Sequence, residues 1–153
     1  MLTSTAALHG ILGIVAFGAL MFPGMYFGQI AKTENVAAIR AAYAIAANRG
    51  KIFGPMVIIA ALFGFWVAAQ AGIPLTTGWL IASYVVVAII MVLGFGFHAR
   101  LDMQTLALAQ ASPLDKPSPE LLAAIHNPMH NVLNIASGLM WIVLFYLMIA
   151  KPF

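Results

Sequence analysis

Polar and apolar positions alternate along this chain in long blocks rather than short periods. Residues 1–31, 52–99 and 121–150 contain no Asp, Glu, Lys or Arg. A helix needs about 20 apolar residues to cross a bilayer. The first and last blocks therefore hold one span each. The middle block holds two, broken at Ala71-Gly72-Ile73-Pro74, where Gly and Pro supply a turn. The pattern predicts transmembrane spans near residues 6–30, 53–71, 79–99 and 129–150, within a single membrane domain covering 1–153.

Helical periodicity is clearest in the last span. Asn127, His130/Asn131, Asn134, Ser137/Gly138 and Trp141 recur at intervals of three and four, one face of an α-helix. Val132, Leu133, Ile135, Leu139, Met140, Ile142 and Val143 make up the remainder and suit lipid. Amide and imidazole groups are costly in hydrocarbon, so the polar face is expected to point into protein. In span one, Gly10, Gly13, Gly24 and Gly28 fall near a seam with Phe17 and Leu20. Gly24 and Gly28 form a small-x-x-x-small pair for close helix approach, and Pro23 is expected to kink the helix. Ala60, Gly64 and Ala68 form a similar face on span two, with Pro55 in its first turn. On span three, Tyr84, Met91 and His98 stand seven residues apart, and Trp79 anchors the outer interface.

The connecting segments have their own signals. Thr33 is placed to cap an amphipathic helix over residues 33–49, with Val36, Ile39 and Tyr43 on one face and Gly50 ending it. Its Lys32, Arg40, Arg49 and Lys51 are positioned for anionic lipid heads. The helical pattern after Ala99 continues through Asp102 to Leu108, and a proline-bearing linker comes next. A short surface helix spans 118–125, and Asn127-Pro128 restart the chain as span four, Asn127 as N-cap and Pro128 at N1. The fold class is all-α: an integral membrane four-helix bundle with short interfacial helices on the cytoplasmic side.

Composition strengthens this reading. The chain is 63% hydrophobic and 7% charged, with a mean hydropathy of +1.01, whereas soluble domains are about a quarter charged. The net charge of +3 does not point to nucleic acid, because six of the seven Lys and Arg lie in the two long loops and only Lys151 lies opposite. The positive-inside rule puts those loops in the cytoplasm and both termini outside, in what is expected to be a bacterial inner membrane. The N-terminus lacks a basic n-region and its apolar run is long, so it is expected to be a retained span.

The absence of cysteine excludes disulfides, thiolate nucleophiles and Cys-ligated metals. No carboxylate falls inside the expected spans, and neither a Walker loop nor a Ser-His-Asp set is present, so no catalytic group is assigned. His98 and His130 are expected at similar depth on antiparallel neighbours, the relation two axial ligands of haem b require. Adding His126 and Met129 gives a set that would also suit copper. Asn131 and Asn134 either hydrogen-bond across helices or bind a quinone or pigment carbonyl. Two functions stay open. One is a non-catalytic subunit packing in a larger membrane complex of respiratory or photosynthetic type, or with itself. The other is a haem b or copper protein for electron transfer or metal handling.

Leu8-His9-Gly10-Ile11-Leu12-Gly13, followed by Gly18, resembles the first span of small bacterial inner-membrane families around the copper-resistance protein D domain. Gly78-Trp79-Leu80 is similar in style to the opening of their third span, and the likeness covers roughly residues 6–105. It implies a four-helix membrane protein in which His9 is a metal ligand on the outer side, although Ala16-Phe17 stands where that family carries a tryptophan.

Overall fold

The computed structural model describes the backbone of residues 2–152 and the side chains of residues 4–21 and 26–152. Pro23 and Gly24, the expected kink and half of the expected glycine pair, lie outside the described side chains. The chain is α1 (Leu2–Lys32), α2 (Val36–Gln70), α3 (Gly78–Met91), a π-helical segment (Val92–His98), α4 (Ala99–Ala111), α5 (Pro119–Ile125) and α6 (Met129–Ala150). No strand occurs among the described residues, and four helical runs are long and apolar enough to cross a membrane. The predicted all-α membrane bundle is the observed architecture. The chain ends and the 71–77 turn mark one end of it, the termini end. The other, the loop end, carries the α1–α2 turn, α5 and the start of α6.

The α1–α2 connection is tighter than expected. Glu34 adopts φ 52° and turns the chain sharply. Thr33 closes α1 by donating its hydroxyl to the Ile30 carbonyl (2.7 Å), and Asn35, not Thr33, caps α2 by accepting from the Ala38 amide (3.0 Å). From there α2 runs unbroken for 35 residues, so the expected loop helix and span two are one element and Pro55 lies in its interior. Gly50 does not end it. A Cβ on Gly54 would overlap the Phe95 ring, and one on Gly50 would press its edge at 3.3 Å; these glycines admit an aromatic side chain. By contrast, a Cβ on Gly10, Gly13 or Gly28 would meet nothing within 4 Å, so these three glycines make no close helix contact among the described residues, while Phe17 and Leu20 of the same seam pack on the core. At the far end, α2 stops in a Schellman motif. Gly72 takes φ 65°, its amide bonds Ala69 and the Ile73 amide reaches Ala68 (2.9 Å).

The π-helical segment sets which face of α4 turns inward. Buried residues on α3 include Trp79, Ser83, Val86 and Ile90. At α-helical spacing that stripe would continue through Gly94, Phe97 and Leu101. Instead Phe97 is 54% exposed, and the inward positions after half-buried His98 are Asp102, Thr105 and Ala109. The stripe has slipped by one residue, about 100° of rotation. A π-bulge does this by placing an extra residue in a turn.

On α6 the buried positions are Leu133, Ser137, Trp141, Leu144 and Leu147. Val132, Ile135, Leu139, Ile142 and Val143 face outward as expected, while Leu133 turns inward and Met140 is half-buried against the core. Asn127 accepts from the Met129 amide (2.9 Å), so the Asn-Pro start works as expected, with the helix boundary one residue later. Ser118 caps α5. Two apolar clusters form the core. One, at the termini end, gathers Ala16, Val57, Trp79, Ile90 and Trp141. The other gathers Ala31, Ile39, Tyr43, Ala109 and Leu121 at the loop end. Arg49, His98, Asp102 and Ser137 belong to neither cluster.

A buried polar layer and the cavity beside it

Arg49 on α2 and Asp102 on α4 form a buried ion pair, Nη2 to Oδ2 3.1 Å, with side chains 9% and 3% exposed. Both were expected in loop segments, Arg49 at the lipid head groups. The continuity of α2 and the slipped register of α4 bring them inside. The guanidinium also donates through Nη1 to the Leu20 carbonyl (3.3 Å) on α1 and lies 5.7 Å from the Phe27 ring centroid. His98 Nδ1 stands 3.4 Å from Arg49 Nη2, and its Nε2 stands 3.2 Å from Ser137 Oγ on α6. One layer thus links α1, α2, the π segment, α4 and α6.

The layer assigns the His98 tautomer. Arginine is only a donor, so Nδ1 facing it must accept, and in a neutral ring Nε2 then carries the proton and donates to Ser137. In this arrangement His98 has no lone pair left for a metal.

Alongside lies a cavity of about 330 Å³, walled by α1, α2, the π segment, α4 and the α5–α6 junction. His98, His130, Asn131 and Asn134 all line it, and His126 reaches its lining. The polar face expected to point into protein does so only in part, since Asn134 is half-buried and Asn131 is exposed. Met129 is not on that lining and is 47% exposed. His9 is elsewhere, packed on Gly64 with Nδ1 2.7 Å from the Ala60 carbonyl. Among the described residues no three His, Asp or Glu side chains converge on a metal-sized point.

Most polar side chains of the helix ends are satisfied within the protein. His126 Nδ1 pairs with the Leu122 carbonyl (2.9 Å), and Arg40 closes the end of α4 through Ala109 (2.8 Å). The cavity groups differ. His130 Nε2 is buried without a hydrogen-bond partner. Its ring meets Tyr43 edge-on at 6.0 Å, and Tyr43 stacks on Phe27 at 5.5 Å. Tyr43 makes ring contacts but no hydroxyl hydrogen bond among the described residues, and the Asn131 and Asn134 amides likewise have no partner among them.

A family model described as predicted integral membrane protein (DUF2269) matches residues 4–152. The chain belongs to the DUF2269 family. No curated protein and no solved structure matches it. For this DUF2269 chain the helices and the family agree on an integral membrane protein lying in the lipid bilayer.

Sequence reasoning missed Arg49 and Asp102 as inner residues because each lies just beyond an uncharged block. A signal was present: Asp102 follows His98 by four residues, one helical turn, and can share its face.

Proposed function

We propose that the chain is a non-catalytic membrane subunit. It packs with copies of itself or within a larger respiratory- or photosynthetic-type assembly, and holds an acceptor-rich polar group in the cavity at its loop end. Lys32, Arg40, Lys51, Arg100 and Lys116 lie toward that end, and the positive-inside rule supports a cytoplasmic loop end in a bacterial inner membrane, with both termini outside. The observation that carries the reading is the convergence of Tyr43, His130, Asn131 and Asn134 on one cavity, with the His130 Nε2, the Tyr43 hydroxyl and both amides unpaired among the described residues. Of these groups the His130 Nε2 is the buried orphan, a state that costs about 1–3 kcal/mol. Asn131 is exposed and Asn134 half-buried, so their amides are open to a ligand rather than stranded.

Native mass spectrometry of protein kept in membrane nanodiscs tests it. The wild type should retain a discrete non-protein mass that a double variant, Asn131→Leu with Asn134→Leu, releases. A bare wild-type mass identical to the variant's would overturn it.

The second reading is a haem b or copper protein in the style of the copper-resistance families. It is favoured by His98 and His130 lining one cavity, the latter with a bare Nε2. It requires His98 to leave Ser137 or Arg49 and free a lone pair. A reduced-minus-oxidised haem band, or stoichiometric copper, abolished by His130→Ala would select this reading. A separate outer site at His9 would require breaking its contact with Ala60.

A further inference from the structure

We infer that the cavity takes an anionic head group, a phosphate or carboxylate, carried on an apolar tail. This rests on the binding reading above and names the ligand's chemistry. The charges around the cavity do not balance. Asp102 is its only carboxylate and is engaged by Arg49, which leaves Lys32 on the last turn of α1 as a cation with no acidic partner among the described residues. The first turn of the 22-residue helix α6 opens at the same rim and adds positive potential.

The hydrogen-bonding groups point the same way. Asn127 has committed its oxygen to the Met129 amide, which leaves its NH₂ to donate. Asn131 and Asn134 can each present NH₂, Tyr43 its hydroxyl, and Lys32 three N–H groups. Donors thus outnumber acceptors, which suits oxygens of a negative group. Beside them, Phe27, the Tyr43 ring and Ile125 supply an apolar wall that can lie along a methylene chain. A neutral carbonyl ligand would use the same donors and leave Lys32, which is exposed, paired only with water. Lys32 therefore distinguishes the two.

The test measures thermal unfolding of the full chain in neutral detergent. Probes are dioctanoyl-phosphatidylglycerol, dioctanoyl-phosphatidylcholine, decanoate, inorganic phosphate and a short-tailed benzoquinone. The wild type is expected to gain roughly 5 °C with saturating phosphatidylglycerol or decanoate, but not with phosphatidylcholine. Lys32→Gln should keep the ligand-free Tm and bind the anionic probes about tenfold more weakly. If inorganic phosphate alone matches the tailed probes, the ligand is a soluble anion and the tail is overturned.

Equal shifts with the quinone or phosphatidylcholine, unchanged by Lys32→Gln but lost in the Asn131→Leu/Asn134→Leu variant, would overturn the anionic assignment and leave the binding reading standing. Shifts that survive in that double variant, or no shift with any probe, would overturn both.

Discussion

Replacing Asp102 with Leu should be far more damaging than its place in a loop-end helix suggests. The carboxylate is 3% exposed and 3.1 Å from Arg49, so its loss leaves a guanidinium buried without a counter-charge. Breaking a buried pair from one side costs about 3–5 kcal/mol. At about 2–4 °C per kcal/mol for a chain of this length, Tm should fall by roughly 6–20 °C. Arg49→Met should cost a similar amount, with a further ~1 kcal/mol because His98 Nδ1 loses its donor. The double variant Arg49→Met/Asp102→Leu should recover most of the loss, since an apolar pair of similar volume is often as stable as the ion pair it replaces. Unfolding is followed in nanodiscs by circular dichroism, with exposed Asp115→Asn as control, expected within about 0.5 kcal/mol of wild type. If Asp102→Leu matched that control, or if the two single losses simply added, the buried polar layer would be refuted.

Other consequences arise from particular contacts. Gly54→Val should destabilise by about 1–3 kcal/mol through overlap with Phe95, and Phe95→Ala should partly suppress it; chemical denaturation of the four proteins reads this directly. Ser137→Ala removes the acceptor of the His98 Nε2 proton and should cost about 1–3 kcal/mol in the same assay. Nitrogen NMR of ¹⁵N-histidine should show His98 in the Nε2–H tautomer in the wild type. His9→Phe should lose about 1 kcal/mol with its bond to Ala60 and leave ligand-induced Tm shifts unchanged, because it sits away from the cavity.

The sequence revealed the framework because hydrocarbon imposes a strong, local rule. Uncharged blocks of sufficient length must be helices, and the Gly72 turn, the Ser118 cap and the Asn127-Pro128 restart carry recognisable end chemistry. The cavity residues on α6 were legible for the same reason, since three- and four-residue spacing survives in a regular helix. Leu133 shows the precision of that method: the buried stripe is wide enough for an apolar neighbour of Asn134 to turn inward as well.

Arg49 and Asp102 were not legible because periodicity presumes one residue count per turn. The π segment changes that count between Val92 and His98, and everything after it is rotated relative to the α3 pattern. Gly94-Phe95-Gly96-Phe97 carries no local mark that separates a π turn from an α turn. The glycines on α2 were equally ambiguous: Gly50 reads as a helix stop until the Phe95 ring is seen lying across it. The ion pair and the glycine contacts are tertiary effects, each joining residues more than 40 positions apart in the chain.

The slipped register is the feature on which the ion pair, the His98 tautomer and the cavity all depend. Because the chain has no cysteine, single cysteines at Phe97, His98, Gln104 and Thr105 can each carry a nitroxide without background labelling. Lipid-dissolved oxygen accessibility, measured by electron paramagnetic resonance in nanodiscs, should be high at 97 and 104 and low at 98 and 105. An uninterrupted α-helix from Gly78 onward would give low accessibility at 97 and 104 instead, and that result would contradict the polar layer and the site built beside it.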